Sequence, residues 1–291
     1  QLTITASTEG STRISADENA AGGIDFKFKV GDKIGIYLFK DVYGKKLIDN
    51  AKNLCFVVKS VDESGKATFG KGENTQISAT DLTAARKIYA YYPYDENQND
   101  KGKIQNSHYQ LAAVVPEEQI QASKDDFSHL YDTYTMVTKI TTLTKKDDNV
   151  SVDLKFSGAF SIVKLHVKNQ NAAEDITVKS VKMTTPYFGG GSSYITGNFF
   201  IDSSTDPAFS QINSLPALGE TIASSTKYKD AISIYAETEN SDLTVSLTEP
   251  ATIKAGESAD LYAITYSNSF NAASIGISPF RNPTFVVTDN N

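Results

Sequence analysis

The chain of 291 residues contains one cysteine and no tryptophan. With a single cysteine no disulfide can form within the chain, and the residue does not distinguish an oxidising from a reducing compartment. Cys55 lies in the apolar run LCFVV, which predicts a small buried side chain and not a reactive thiol. The absence of tryptophan disfavours a dedicated carbohydrate-binding module, because such modules use the large face of that ring.

Positive charge and long apolar runs are also scarce. The net charge is -7 and the isoelectric point is about 5.1, so we expect no nucleic-acid partner. No apolar run approaches the ~18 residues of a membrane-spanning helix. We therefore expect no membrane-spanning helix. The sequence starts at Gln1 without a charged and apolar leader, which predicts that an export signal has been removed or omitted.

Motifs that carry chemistry are missing as well. The three histidines, His108, His129 and His166, stand in no catalytic signature and show no zinc-ligand spacing. The acidic pairs at 125–126 and 147–148 lack the glycine of a calcium loop and are typical of solvated turns. We therefore expect no catalytic residue, no cofactor and no metal ion, and we predict that the protein is not an enzyme.

What the sequence does contain is short runs rich in Val, Ile, Phe, Tyr and Thr between Gly, Asn, Asp and Ser. This pattern predicts an all-β fold with a few short helices. The length and the polar break TKKDDN predict two domains, residues 1–146 and 147–291. Helices are predicted at Asp81 to Arg86 and from Pro116 onward. The predicted strands of the first half are Leu2 to Ala6, Phe26 to Val30, Lys33 to Phe39, Leu54 to Val58, Ala67 to Phe69, Lys87 to Tyr92 and Tyr134 to Ile140. Those of the second half are Val150 to Phe156, Phe160 to Val167, Thr177 to Met183, Tyr194 to Ile201, Ala231 to Ala236, Leu243 to Leu247, Ala259 to Tyr266 and Thr284 to Thr288.

The most informative run is FKFKVGDKIGIYLF, residues 26–39. It predicts two strands joined by a turn at Gly31-Asp32. Phe26, Phe28 and Val30 alternate with lysines before the turn, and Ile34, Ile36 and Leu38 form a second period-two set after it. Each strand should therefore have one buried face.

This run, the Thr-Arg leader before it, the aromatic strand YAYYPY at 89–94 and the segment VSVDLKFSGAFSIVKLHVKN resemble the fimbrillin family. Fimbrillins are the subunits of type V pili on Gram-negative anaerobes. The resemblance implies two tandem transthyretin-like Greek-key β-sandwiches. It also implies a structural or adhesive subunit of a cell-surface fimbria at the outer membrane, exported as a lipoprotein precursor. Contact with a membrane would then be only through a lipid anchor that is not part of this chain. Its partners would be other fimbrillin subunits, in a homo- or hetero-polymer, together with host or bacterial surface ligands. The sequence does not choose among stalk, anchor and tip roles.

The same resemblance implies assembly by strand exchange, for which each end of the chain supplies a candidate. The first run, QLTITAS, places Leu2, Ile4 and Ala6 on one face, as a groove-filling strand would. By the resemblance, a protease that cuts after Arg13 would free it. The last run, PTFVVTDNN, places Phe285 and Val287 on one face. It is either a donated strand or the last strand of its own domain.

A second interpretation is a surface glycan-binding lipoprotein that acts as a monomer. Tyr89, Tyr91, Tyr92 and Tyr94 could stack on sugar rings, although alternation along a strand would bury about half of them. The flexible loop GGGSS at 189–193 could also contact a polysaccharide. Stable polymer formation would favour the fimbrial interpretation, and glycan binding by a strict monomer would favour this one.

Overall fold

The computed structural model describes residues 1–8, 14–18, 24–105, 108–184, 195–204, 234–266 and 284–289. These residues form strands with a few short helices, so the predicted all-β fold is confirmed. The strands of the first half are β1 (Leu2–Thr8), β2 (Ile14–Glu18), β3 (Ile24–Phe26), β4 (Lys33–Phe39), β5 (Leu54–Val61), β6 (Ala67–Lys71), β7 (Lys87–Tyr92), β8 (Lys103–Gln105), β9 (His108–Val115), β10 (Glu118–Gln121), β11 (Met136–Thr138), β12 (Thr141–Thr142) and β13 (Thr144–Lys146). They are followed by β14 (Asn149–Gly158), β15 (Ser161–Lys168), β16 (Ile176–Thr184), β17 (Thr196–Asp202), β18 (Ile234–Asn240), β19 (Asp242–Ile253), β20 (Ser258–Thr265) and β21 (Thr284–Asp289). The helices are α1 (Ala79–Ala84), α2 (Gln98–Lys101) and two 3-10 turns, Asp49–Ala51 and Ser128–Leu130.

The largest sheet closes on itself. Its strands follow the order β1-β6-β5-β4-β7-β11-β14, and β14 pairs again with β1. The side chain of Phe28 lies inside this closed sheet, which we call the ring. Its phenyl group packs edge-on against the aromatic groups of Phe69, Tyr92 and Phe156, at centroid distances of 5.4, 5.8 and 5.2 Å. The motif at residues 26–39 therefore supplies both a wall strand and the aromatic filling of the ring.

A second sheet, in the order β18-β17-β9-β8, covers the outside of the ring at β4 and β7. The Tyr37 hydroxyl lies 2.7 Å from that of Tyr109 on β9, and their ring centroids are 4.2 Å apart. As a result both faces of β4 are buried, including Tyr37 and Phe39 as well as the predicted set of Ile34, Ile36 and Leu38.

A separate core lies between the pair β15–β20 and the sheet β10-β19-β16-β21. The division of the chain into residues 1–146 and 147–291 stays a prediction, and so do the tandem transthyretin-like sandwiches. The first core extends beyond residue 147, because Phe156, Phe199 and Tyr262 belong to it.

The strand β20 pairs with β15 along one edge, and two glutamines on β10 bond to the backbone of its other edge. We call this arrangement the glutamine seal. Gln119 accepts from the Ile264 amide at 2.9 Å and donates to its carbonyl at 2.8 Å. Gln121 accepts from the Tyr262 amide at 2.8 Å and donates to the Asp260 carbonyl at 3.1 Å. These buried side chains make the hydrogen bonds that a neighbouring strand would make.

Several predicted elements are wrong in detail. The helix expected from Pro116 is instead the strand β10, because its parallel pairing with β19 and the buried Gln119 and Gln121 outweigh the helix-start pattern. The expected strand from Phe26 to Val30 ends at Phe26, and Val30 is 69% exposed because it sits in the turn before Gly31. The strand β9 was not predicted at all.

The glutamine seal predicts a loss of stability on substitution. We expect Gln119→Leu to lower the free energy of unfolding by about 2 to 4 kcal/mol, because the Ile264 amide and carbonyl lose their buried partners. Urea titration followed by circular dichroism measures the change. Gln105→Leu, at an exposed site on β8, is the matched control and should stay within about 0.5 kcal/mol of the native protein. Equal losses in the two variants would contradict the seal.

The buried tyrosines predict a limit of stability at alkaline pH. Burial raises the pKa of Tyr37, Tyr89, Tyr91, Tyr92, Tyr109 and Tyr134. Since a free phenol has a pKa of about 10, the unfolded chain ionises at a lower pH than the folded chain. The stability from these neutral phenols is therefore complete below about pH 10 and falls as the pH rises above it. We expect some phenols to ionise only on unfolding, as a step in tyrosinate absorbance. Tyr43→Phe, at a 76% exposed site, should leave that step unchanged, and smooth titration of every phenol in the folded chain would refute the prediction.

Candidate functional site

The candidate site is the groove that β1 occupies in the large sheet. On one side β1 runs parallel to β14 in a ladder from Leu2 opposite Val150 to Thr8 opposite Phe156. On the other side it runs antiparallel to β6, with Ile4 opposite Phe69 and Ala6 opposite Ala67. A terminal strand is therefore held by backbone pairing on both of its edges.

The inward face of β1 is buried. Leu2 is 8% exposed, and Ile4 and Ala6 are fully buried. The alternating sequence LTITAST produces this face, since side chains along a strand point alternately to its two sides. Burial of a side chain of the size of Leu or Ile contributes about 1.5 to 3 kcal/mol, so Leu2 and Ile4 supply most of the apolar stabilisation of β1.

The outward face of β1 is held by polar contacts. The Thr5 hydroxyl donates to Asp153 at 2.9 Å, and Lys155 donates to the Ser7 hydroxyl at 2.7 Å. Partial burial raises the pKa of Asp153, but hydrogen bonds from Lys66 and Thr5 outweigh that effect and keep the pKa below its ordinary value. Exposed contacts of this kind contribute at most about 1 kcal/mol each, so the inward face and the backbone ladders hold the strand.

The proposed cleavage residue, Arg13, lies outside the described residues. The strand β1 ends at Thr8, and β2 begins at Ile14 and pairs with β3 in a separate two-stranded sheet. Thus the segment that contains Arg13 links the buried strand to a hairpin that is not part of the ring.

The other predicted strand, β21, is held differently. It pairs antiparallel with β16, with Phe285 opposite Met183 and Val287 opposite Val181. Among the described residues β16 is its only partner strand, and Val286 and Val287 are 54% and 45% exposed. Within the described residues β21 is therefore the edge strand of the sheet β10-β19-β16-β21, and it has an exposed side chain on each face.

The residues of the glycan-binding alternative do not form a platform. Tyr89, Tyr91 and Tyr92 are at most 5% exposed, so they belong to the core and cannot stack on a sugar. Tyr94 is half-buried. The loop at residues 189–193 lies outside the described residues.

The remaining candidates for chemistry are placed as structural residues. His166 is exposed, with Nδ1 2.6 Å from Asp260. His129 lies 3.0 Å from the Tyr262 carbonyl, and burial lowers its pKa. Cys55 is half-buried, and burial raises the pKa of its thiol. In the described part of the chain no cluster of three or more His, Cys, Asp or Glu could hold a metal ion, and no helix is long and apolar enough to cross a membrane.

The different burial of the two end strands predicts different effects of truncation. We expect Ile4→Ala to lower the free energy of unfolding by about 2 to 5 kcal/mol, because a fully buried side chain leaves a cavity. Val287→Ala, at the half-exposed edge strand, should cost less than about 1 kcal/mol. Guanidinium unfolding of the two variants makes the comparison. A larger loss in Val287→Ala would show that β21 and not β1 is the tightly held strand.

No family model and no curated protein matches the chain. Among solved structures it is similar to a fimbrial protein from Bacteroides ovatus, with 15% identity and a TM-score of 0.38 over 70% of this chain and 44% of that one. It is also similar to a candidate cell adhesion protein from B. ovatus, with 14% identity and a TM-score of 0.46 over 90% of this chain and 77% of that one. A candidate cell adhesion protein from B. uniformis has 12% identity and a TM-score of 0.42 over 90% of this chain and 73% of that one. The chain spans less than half of the length of the fimbrial protein. Fimbrial and cell-adhesion proteins are therefore the proteins that this chain resembles, at low sequence identity.

Proposed function

We propose that this chain is a structural and adhesive subunit of a cell-surface fimbria, and that subunits join by strand exchange. The observation that carries the proposal is the position of β1, a strand buried between β6 and β14 and followed in the chain by residues 9–13, which contain Arg13 and lead to β2. Loss of β1 would leave unpaired backbone groups on β6 and β14, together with the empty sites of Leu2, Ile4 and Ala6.

In this proposal a protease cuts after Arg13 and β1 leaves. An extended strand from a second subunit then fills the groove by adding to the exposed edges. At roughly 25 cal/mol per Å² of buried apolar surface, such a strand could contribute on the order of 10 kcal/mol before the costs of association. The resulting polymer would dissociate very slowly.

The strand that fits the donor role is residues 284–289. Among the described residues it has one partner strand, β16, and Val286 and Val287 are 54% and 45% exposed, so its departure from the described part of its sheet disrupts one ladder. Phe285 and Val287, which share one face, would take sites in the groove.

The partners in this proposal are other fimbrial subunits and surface ligands of host or bacterial cells. The precursor would travel as a lipoprotein to the outer membrane, where the fimbria is anchored. The proposal gives the chain no catalytic, cofactor or metal role. The monomeric glycan-binding alternative has no observation in its favour among the described residues, because Tyr89, Tyr91 and Tyr92 are buried.

The proposal is tested by locking β1 in place. Thr5 and Thr68 are antiparallel partners whose side chains point outward, and such partners have Cα atoms about 4.5 to 5.5 Å apart, which suits a disulfide. In a Cys55→Ser background, the pair Thr5→Cys and Thr68→Cys should block polymer formation when oxidised and permit it when reduced. Every variant also carries Arg281→Lys, because Arg281 directly precedes the proposed donor segment, and the measurement is treatment with an Arg-specific protease, followed by unboiled SDS gels and negative-stain microscopy.

The matched control is the pair Ser60→Cys and Thr68→Cys. It joins β5 to β6, which are also paired at these residues, and leaves β1 free. This variant should form ladders or fibres in both redox states. Arg13→Lys should resist cleavage and stay monomeric. If the oxidised Thr5–Thr68 protein assembles as well as the control after complete cleavage, release of β1 is not required and the proposal is wrong.

A further inference from the structure

The groove around β1 continues beyond the strand that fills it. A cavity of about 720 Å³ opens at the Leu2 end. The side chains of Phe69, Ile77 and Leu82 supply its apolar wall, together with Leu2 itself. Lys71, Lys145, Asp147 and Asp148 also line it. The cavity is therefore a continuation of the same groove, with an apolar wall and charged groups around it.

The backbone of β6 is also incompletely used at this end. The ladder between β1 and β6 covers Ile4 to Ala6 opposite Ala67 to Phe69, whereas β6 continues to Lys71. Gly70 and Lys71 pair with β5 on their other side and line the cavity. By contrast, the ladder between β1 and β14 already starts at Leu2. Hence β1 separates from β6 near its start while it remains paired with β14, and the cavity opens between the strands.

We propose that this cavity is the anchoring site for the incoming strand, and that its occupant is Phe285 from the terminal strand of a second copy of this chain. The inference rests on the proposed strand exchange and adds the residue that the groove recognises. In the register of β1, with Phe285 in the place of Leu2, Val287 takes the place of Ile4. The phenylalanine ring is larger than the leucine side chain, so it extends into the space between Phe69, Ile77 and Leu82.

The choice of occupant follows from the residues of the two strands. The site needs an extended segment with a large apolar side chain followed two residues later by a second one, because Leu2 and Ile4 have this spacing. Within residues 284–289, Phe285 and Val287 have the same spacing and share one face of β21. A free small molecule would fill the cavity without pairing to Gly70 and Lys71, whereas a strand can do both.

The test measures strand replacement in the whole protein. A specific protease site replaces residues 9–13, and cleavage leaves β1 in its groove without a covalent link. A fluorescent peptide of residues 282–291 is then added. Anisotropy measures the binding of this peptide, and mass spectrometry measures the release of the β1 peptide. The acceptor variant is Ala79→Trp, which puts a bulky ring on an exposed residue of α1 that lines the cavity. Thr80→Trp is the matched control, because Thr80 is exposed on the same helix but does not line the cavity.

We expect Ala79→Trp to weaken binding of the terminal-strand peptide by about tenfold or more, because overpacking of a filled site is strongly unfavourable. Thr80→Trp should leave binding within about twofold, as substitutions at exposed sites usually do. Binding of a peptide of residues 1–8 should be the same in all three proteins, because Leu2 does not fill the cavity. The Phe285→Ala peptide should bind weakly, and its affinity should be the same for Ala79→Trp and for the native acceptor.

Two results would overturn the inference, and they are distinguishable. If the terminal-strand peptide binds Ala79→Trp and native protein equally, the cavity is not its anchoring site, although strand exchange stands. If the β1 peptide rebinds but the terminal-strand peptide does not bind the native acceptor, residues 284–289 are not the donor, and the inference falls together with that part of the proposed function. Because the β1 peptide reports whether the groove is intact, an unfolded variant cannot be mistaken for either result.

Discussion

The structure depends on the pairing of backbone groups along β1. A buried amide or carbonyl without a partner is strongly unfavourable, so β6 and β14 both need a strand between them. That strand is supplied from the start of the chain, and its ladder joins Leu2 to Val150. Since the ring encloses Phe28, Phe69 and Phe156, this long-range pairing also keeps water from the aromatic cluster inside the ring.

The same requirement is met in a second way at β20. There the open edge is satisfied by Gln119 and Gln121, whose amides bond to the backbone of Tyr262 and Ile264. Asp125 extends the seal, because its amide donates to the Asp260 carbonyl at 2.9 Å and its carboxylate accepts from the Asp260 amide at 2.7 Å. A seal of side chains leaves no position into which a strand from another molecule can be inserted. A position filled by a strand would be available to another strand with a matching apolar face if β1 left it, as the proposed exchange requires. The fold therefore closes one edge with side chains at β20 and fills the corresponding position in the ring with a strand, and it is this strand that the proposed exchange would replace.

The sequence predicted strands well where the alternation of apolar and polar residues was regular. The strand β14 extends the predicted one by only a few residues, since its apolar and polar side chains alternate from Val150 to Phe156. The strand β7 also matches its predicted bounds, although its residues KIYAYY do not alternate. The inward face of β1 was also predicted, because Leu2, Ile4 and Ala6 alternate with polar residues. The groove itself was not predictable from the sequence. Nothing in the sequence of β1 specifies that Leu2 lies opposite Val150 on one side and Ile4 opposite Phe69 on the other.

The errors have physical causes in the same long-range contacts. About half of the tyrosines at 89–94 were expected inside, but the second sheet covers the outer face of β7 as well, so Tyr89, Tyr91 and Tyr92 are all buried. The helix expected after Pro116 had a favourable start, with two acidic residues in its first turn. It was replaced by β10 because the glutamines at 119 and 121 alternate as a strand requires, and their partners lie about 140 residues later in the chain. The predicted helix at residues 81–86 begins two residues earlier, where the Ser78 hydroxyl accepts from the Asp81 amide and caps α1.

The proposed exchange has a direction that follows from the two end strands. A strand that moves from the place of β21 to the place of β1 leaves the one partner strand found among the described residues and gains two, and Val287 passes from a 45% exposed site to the buried site of Ile4. While residues 9–13 connect β1 to β2, the effective concentration of β1 at the groove is high, commonly millimolar for a short linker. A strand from another subunit, present at an ordinary protein concentration, therefore does not compete with β1. Cleavage after Arg13 removes this advantage without changing a contact within the groove. The tether, and not the strength of the β1 contacts, would then decide when subunits join, so the proposed switch is the cutting of a covalent connection and not a change in the core.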